Sequence, residues 1–139
     1  MKFSEMSNEA WERDGKYYDT CLIPYTGLTG KETPMEATAA LERLRDFMEP
    51  LETAFAGRMV TYPACHYAQQ DGLRILNEIC RNVKSGTFRY AVVITSDCSL
   101  AAQDIPESDL VLARTHIGAS DPQALRRILS DEIQRLWTR

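Results

Sequence analysis

The sequence predicts an α/β protein with three αβα layers around a mainly parallel four-stranded sheet, order 2-1-3-4, in the flavodoxin-like or Rossmann-like manner. Three observations lead there. Residues 91–95, Ala-Val-Val-Ile-Thr, are uninterrupted apolar or β-branched, so both pleat faces of that strand are apolar, as suits a strand covered by helices on both sides. Strand-like and helix-like segments alternate along the chain, which implies parallel strands joined by crossovers. The segments read as strands stop in small polar residues, and outside such carboxyl ends open parallel sheets bind their ligands.

The elements follow in order. Ser7 caps a short helix over residues 8–14, with Gly15 ending it, and residues 1–18 read as a lead-in packed on the sheet. The first strand is expected over residues 19–25, closed by Pro24, which cannot donate within a central ladder. Gly27 and Gly30 make the next loop permissive. Thr33-Pro34-Met35-Glu36 then starts a helix, with Thr33 as N-cap, Pro34 in the first turn and Glu36 completing a capping box. Leu41, Leu44, Met48, Leu51 and Phe55 form its apolar stripe. Pro50 predicts a kink or two abutting helices, and Gly57 the stop.

The second strand spans 58–62 and ends at Pro63. The second long helix spans 71–84, with Leu73, Leu76, Cys80 and Val83 inward and Gly86 after its end. The central strand follows. Residues 99–109 are short for a crossover and are expected to hold one helical turn at 100–102. The fourth strand spans 110–115. Asp121-Pro122 caps the last helix, with Leu125, Leu129, Ile133 and Leu136 inward and Arg127, Asp131 and Arg135 spaced for weak surface pairs.

At 139 residues the chain is sized for a single α/β domain, residues 1–139. A formal net charge of −4 argues against a sequence-independent grip on nucleic acid and against an anionic membrane surface as partner. No apolar run approaches the ~20 residues a spanning helix needs, so no membrane insertion is expected. No apolar leader is visible in residues 1–6, and the expected location is cytoplasmic. Cys21, Cys65, Cys80 and Cys98 contain no Cys-x-x-Cys pair and read as thiols; Cys21 and Cys80 are expected to be buried.

The strand ends gather the side chains capable of chemistry. Cys65-His66 suggests a thiolate activated by its neighbour, but adjacent residues rarely point together and no third group orients them. His66, His116, Asp97 and Cys98 have the atom types of a metal site. In a 2-1-3-4 order, however, the two histidines follow opposite edge strands, ~14 Å apart at ~4.8 Å per strand. No metal and no cofactor are therefore assigned, and the catalytic residues stay unknown. Residues 27–33 look like a phosphate cradle at a helix N-terminus, but the spacing is not that of a P-loop, and turn chemistry with an N-cap accounts for every residue. Asp97 is read as an acid, a base or a ligand, or simply as a cap for the following turn. The candidate ligand-binding set is Thr26, Gly27, Lys31, Ser96 and Asp97, with Lys31 as the anion contact. Because Glu32 and Glu36 already bring negative charge there, a weak polar pocket is expected in place of a tight phosphate site.

Residues 17–24 (Tyr-Tyr-Asp-Thr-Cys-Leu-Ile-Pro), 57–63 (Gly-Arg-Met-Val-Thr-Tyr-Pro) with Tyr67, 94–97 (Ile-Thr-Ser-Asp) and Leu136-Trp137 resemble the YpiF-like domain of unknown function of Gram-positive spore-forming bacteria. The resemblance implies a small cytosolic domain with no established activity and no catalytic residues to carry over. It also implies a link to respiratory-complex assembly, since genes of that family tend to lie near those for menaquinol–cytochrome c reductase. The chain departs from the family's pattern at residues 64–66, where a more apolar stretch is expected. Two functions stay open. One is a non-enzymatic accessory or interaction protein with an unknown protein partner. The other is a small enzyme, or a protein binding a small anionic ligand or nucleotide, that uses the crevice at the ends of the first and third strands.

Overall fold

The computed structural model describes residues 1–67 and 69–139, the side chain of Gln70 excepted. Its sheet is four-stranded and all parallel, in the order β2-β1-β3-β4. Along the chain come α1 (Asn8–Asp14), β1 (Thr20–Pro24), α2 (Pro34–Ala54), β2 (Met59–Thr61), α3 (Gln70–Ser85), β3 (Tyr90–Thr95), β4 (Leu110–Ala113) and α4 (Pro122–Trp137). The architecture is the three-layer α/β fold that the alternation of segments implies.

All six residues of β3 and all five of β1 are buried. Cys21 stands in register between Val60 and Ala91, and Val93 stands beside Val111. Strand alternation divides the core into two. Leu22, Val92, Ile94 and Leu112 pack under α2 and α4 with Leu44, Phe47, Leu51, Leu129, Ile133 and Leu136. Cys21, Ile23, Ala91 and Val93 pack under α3 with Leu76 and Cys80. Each fully buried Val, Leu or Ile contributes roughly 1.5–3 kcal/mol, so the sheet is held mainly by this double covering. Phe3, Met6 and Trp11 of the lead-in pack against the second cluster, Phe3 stacking on Phe88.

The local signals act as expected at the helix starts. Ser7 Oγ accepts from the Ala10 N–H, Thr33 and Glu36 exchange both bonds of a capping box, and Asp121 caps α4. Elsewhere tertiary structure intervenes. α2 runs as one helix through Pro50 to Ala54. Proline removes one N–H there, but Asp46, whose carbonyl loses that donor, is exposed, so water can take its place. Leu41 is exposed, while Ala40 and Phe47 are buried; the buried face of α2 is rotated from the expected stripe, with Phe47 in the core cluster beside Leu44, Met48 and Leu51. β2 and β4 are shorter than read. The helical turn of the last crossover lies at Ala102–Asp104. Arg135 pairs with Glu132, one residue away from the expected Asp131.

The edges of the sheet differ. Lys2 bridges Thr61 in parallel, and the Thr61 N–H donates to the Met1 carbonyl at 2.8 Å, so the lead-in covers the outer side of β2. β4 is last in the sheet on the other side.

Candidate functional site

β1 and β3 are neighbours in space but lead to crossovers on opposite sides, so a crevice opens where their carboxyl ends diverge. The chain leaves β1 through Tyr25, whose N–H donates to the Ile94 carbonyl at 2.9 Å, and Thr26, whose N–H donates to the Cys65 carbonyl at 2.9 Å. Thr26 is 5% exposed; its hydroxyl lies 2.7 Å from His66 Nδ1 and accepts from the Leu28 N–H. Gly27, at φ 71°, turns the chain away from the sheet in a conformation that favours glycine.

The loop that follows is closed by its own carboxylates. Glu32 accepts from the Thr29 N–H, the Gly30 N–H and the Thr29 hydroxyl, each at 3.0 Å. These bonds, the Thr29 backbone bond first, lower its pKa to about 2. Glu36 accepts from the Thr33 N–H at 2.9 Å. The backbone donors that a phosphate would seek are thus already serving anions of the chain itself.

The opposite wall is an ion pair. Arg43 of α2 holds Asp97 by two bonds, 3.0 and 2.8 Å long. Those bonds depress the Asp97 carboxyl below its ordinary range, with the Ser96 side chain helping, and raise Arg43. Both side chains are partly exposed, so the pair fixes geometry more than it stabilises the fold. Between these walls lies an open cleft of ≈ 620 Å³, floored by Ala39 and Ala40 and rimmed by Met35, Leu28 and Cys98. Three carboxylates, Glu32, Glu36 and Asp97, line it against the single guanidinium of Arg43, counted among the described residues.

Next to the cleft stands a shelf. Tyr67 has φ 70°, a left-handed conformation costing a non-glycine residue roughly 1–2 kcal/mol. Three contacts hold it there. Its N–H donates to the Leu28 carbonyl at 2.9 Å, its carbonyl accepts from the Tyr25 hydroxyl, and Gly72 lets that carbonyl come so close that a Cβ would stand 2.1 Å from it. Tyr67 is left 66% exposed, and Met35, in the cleft lining, is 75% exposed.

The DUF2487 family, described as protein of unknown function, matches residues 9–138. The chain belongs to that family. No curated protein and no solved structure matches it.

In this DUF2487 chain the sequence-predicted residues fall unevenly. Thr26, Gly27 and Asp97 meet at the cleft. Ser96 supports Asp97 from the strand end. Lys31 sits exposed in the loop, away from the cleft lining, and Arg43 supplies the cation instead. Arg43, Met35 and Tyr67 were not legible as site residues. Arg43 is 54 residues from Asp97 in sequence, whereas Met35, an apolar residue in a polar first turn, was the one usable signal.

Cys65 and His66 do not pair. The Cys65 thiol lies 3.8 Å from the Pro63 carbonyl, the His66 ring turns to Thr26, and burial pushes the thiol pKa up, against thiolate chemistry. His66 and His116 follow β2 and β4, at opposite edges of the sheet. Among the described residues no three His, Cys, Asp or Glu side chains are grouped to hold a metal ion. Thr95 Oγ1 is fully buried without a hydrogen-bond partner among the described residues, although the Cys98 thiol is close enough to sense it; strand alternation turns it to the α3 face, away from the cleft. A smaller apolar hollow between Phe3, Leu41, Met48 and Tyr62 offers no reactive group. Its cations Lys2 and Arg45 are paired with Glu52 and Asp46.

Proposed function

We propose that this DUF2487 chain is a non-enzymatic accessory protein, acting as a single cytosolic domain, that binds a basic segment of a partner protein at the carboxyl end of its sheet. The observation that carries this reading is the occupation of the loop donors by Glu32 and Glu36. It leaves a cleft with excess negative charge, which repels small anions and attracts Lys and Arg side chains. Exposed Met35 and Tyr67 supply the apolar anchors that such a segment needs, and aromatic anchors commonly dominate binding energy. A strained backbone that presents an aromatic ring to solvent also points to recognition. The resemblance to YpiF-like proteins supports looking for that partner among respiratory-complex assembly components.

The test is a set of thermal melts with four probes: a Lys/Leu-rich peptide, its Glu/Leu-rich counterpart, ATP and inorganic phosphate. The Lys/Leu-rich peptide is expected to raise the melting temperature, and Met35→Lys, at an exposed position, to abolish that shift. A shift with ATP or phosphate and none with the basic peptide would overturn the reading in favour of a nucleotide- or anion-binding crevice.

A further inference from the structure

We propose that Cys98 is a site of peroxide oxidation, and that its sulfenic acid is held between the Thr95 hydroxyl and the Thr26 carbonyl. Thr95 ends β3 and is fully buried, and its Oγ1 has no hydrogen-bond partner among the described residues. Native proteins rarely leave a buried donor unpaired, and such a group calls for an explanation. The strand does not supply one. Valine has the same branched shape, suits a buried strand equally well and carries no hydroxyl to satisfy.

Cys98 lies where that hydroxyl can be used. The loop after β3 brings the Cys98 sulfur near enough for Thr95 to act on its ionisation, although no hydrogen bond closes between them. The thiol donates weakly to the Thr26 carbonyl, 3.9 Å away, and the Thr115 hydroxyl donates to the Cys98 carbonyl at 3.4 Å, fixing the loop. Cys98 packs against the α3-side cluster, the face to which Thr95 is turned, and also lines the cleft, which gives a small oxidant its way in. Cys21 and Cys80 are fully enclosed, and the Cys65 thiol is raised by burial alone. At Cys98 burial also raises the thiol, but the Thr95 hydroxyl works against it. Thiolate character together with access selects the cysteine that is oxidised.

In the reaction the Cys98 sulfur attacks one oxygen of hydrogen peroxide. An S–O bond forms, the O–O bond breaks, and the departing hydroxide takes the thiol proton and leaves as water. Sulfur gives up two electrons and peroxide accepts them. The product carries one new oxygen with one O–H. That oxygen accepts from the Thr95 hydroxyl, the donor left without an acceptor, and its O–H donates to the Thr26 carbonyl, as the thiol does already. This chemistry does not depend on what the cleft binds.

Treating the native full chain with hydrogen peroxide and dimedone, a trap for sulfenic acids, tests the proposal, with the adducts located by mass spectrometry. Cys98 is expected to be trapped several-fold faster than Cys65, and Cys21 and Cys80 hardly at all. Without dimedone, wild-type Cys98 is expected to hold at one added oxygen. In Thr95→Val it should pass on to the sulfinic acid several-fold faster, while Thr95→Ser, which keeps a hydroxyl, should behave as wild type. Thr95→Val removes an unpartnered buried hydroxyl, so its melting temperature is expected to equal or exceed that of wild type. Trapping at Cys65 that is as fast as at Cys98 in the wild-type chain overturns the proposal without recourse to any variant. A sulfenic acid that persists equally in wild type and Thr95→Val overturns the role of the Thr95 hydroxyl.

Discussion

Glu32 shows how one side chain can close a site. A carboxylate two residues beyond Gly30 folds back on the loop and takes the N–H groups that would otherwise face the cleft. Its folded pKa, about 2, lies below the ordinary 4.5. The unfolded chain therefore binds this proton first as the pH falls. The stabilisation from Glu32 is fully present above about pH 4.5 and is lost as the pH drops towards 2. Glu32→Gln is expected to lower the melting temperature at neutral pH and to flatten its decline between those limits. Melts of both proteins across that range check this, and equal slopes would rule Glu32 out as the origin. The presence of Glu32 at the loop was readable in the sequence. That it engages two backbone amides at once depends on the φ of Gly30, which no pattern of residue types reveals.

At the scale of elements, α2 combines a start decided locally with a buried face decided elsewhere. Thr33, Pro34 and Glu36 act on each other within one turn, so the capping box was legible without any tertiary partner. Thr33→Ala should destabilise the protein by about 1 kcal/mol, and chemical denaturation would measure it; an unchanged midpoint would show that the cap is dispensable. The inward face was less legible. Leu41 fits the helical period, yet it is exposed, and Ala40, one position back, is the residue that is buried. Periodicity fixes the spacing of a stripe but not its rotation, which is set by the shape of the surface the helix lies on. Pro50 teaches the same lesson: a single lost hydrogen bond does not end a helix whose Phe47, Met48 and Leu51 are packed in the core.

Across the whole molecule, three of the stretches that carry the family resemblance meet at the amino end of the sheet, away from the cleft. Arg58 binds Asp19 through two bonds of 2.9 and 3.0 Å, and its guanidinium lies 3.8 Å over the Trp137 ring. Trp137 Nε1 donates to Thr20 Oγ1 at 2.9 Å, and Phe55 packs edge-on against the same indole. These residues clamp α4 to β1 and β2, so the stretches read as architecture. The thiols report on that architecture as a unit. Burial takes Cys21 and Cys80 up to about 12, and both are fully enclosed, whereas Cys65 and Cys98 are only half-buried. Maleimide labelling followed by mass spectrometry should modify Cys65 and Cys98 first. Cys21 and Cys80 should react at the rate of global opening. Fast native labelling of either would show that β1 or α3 opens locally.

The strand order, the parallel sense and the central place of β1 and β3 were determined by the sequence alone, because continuous apolar strands separated by helices leave few other ways to bury both faces. The crevice position followed from that order, and with it Thr26, Gly27 and Asp97. Tertiary structure decided what fills the crevice. Arg43 reaches Asp97 across 54 positions, Tyr67 is held left-handed by Tyr25, Leu28 and Gly72, and Lys31 turns away. The first two rest on contacts to residues distant in sequence, and all three are set by how the helices and loops settle on the sheet. Local propensity carries the fold class because burial acts on whole segments, but it cannot carry the charge of a cleft whose members come from four separate stretches.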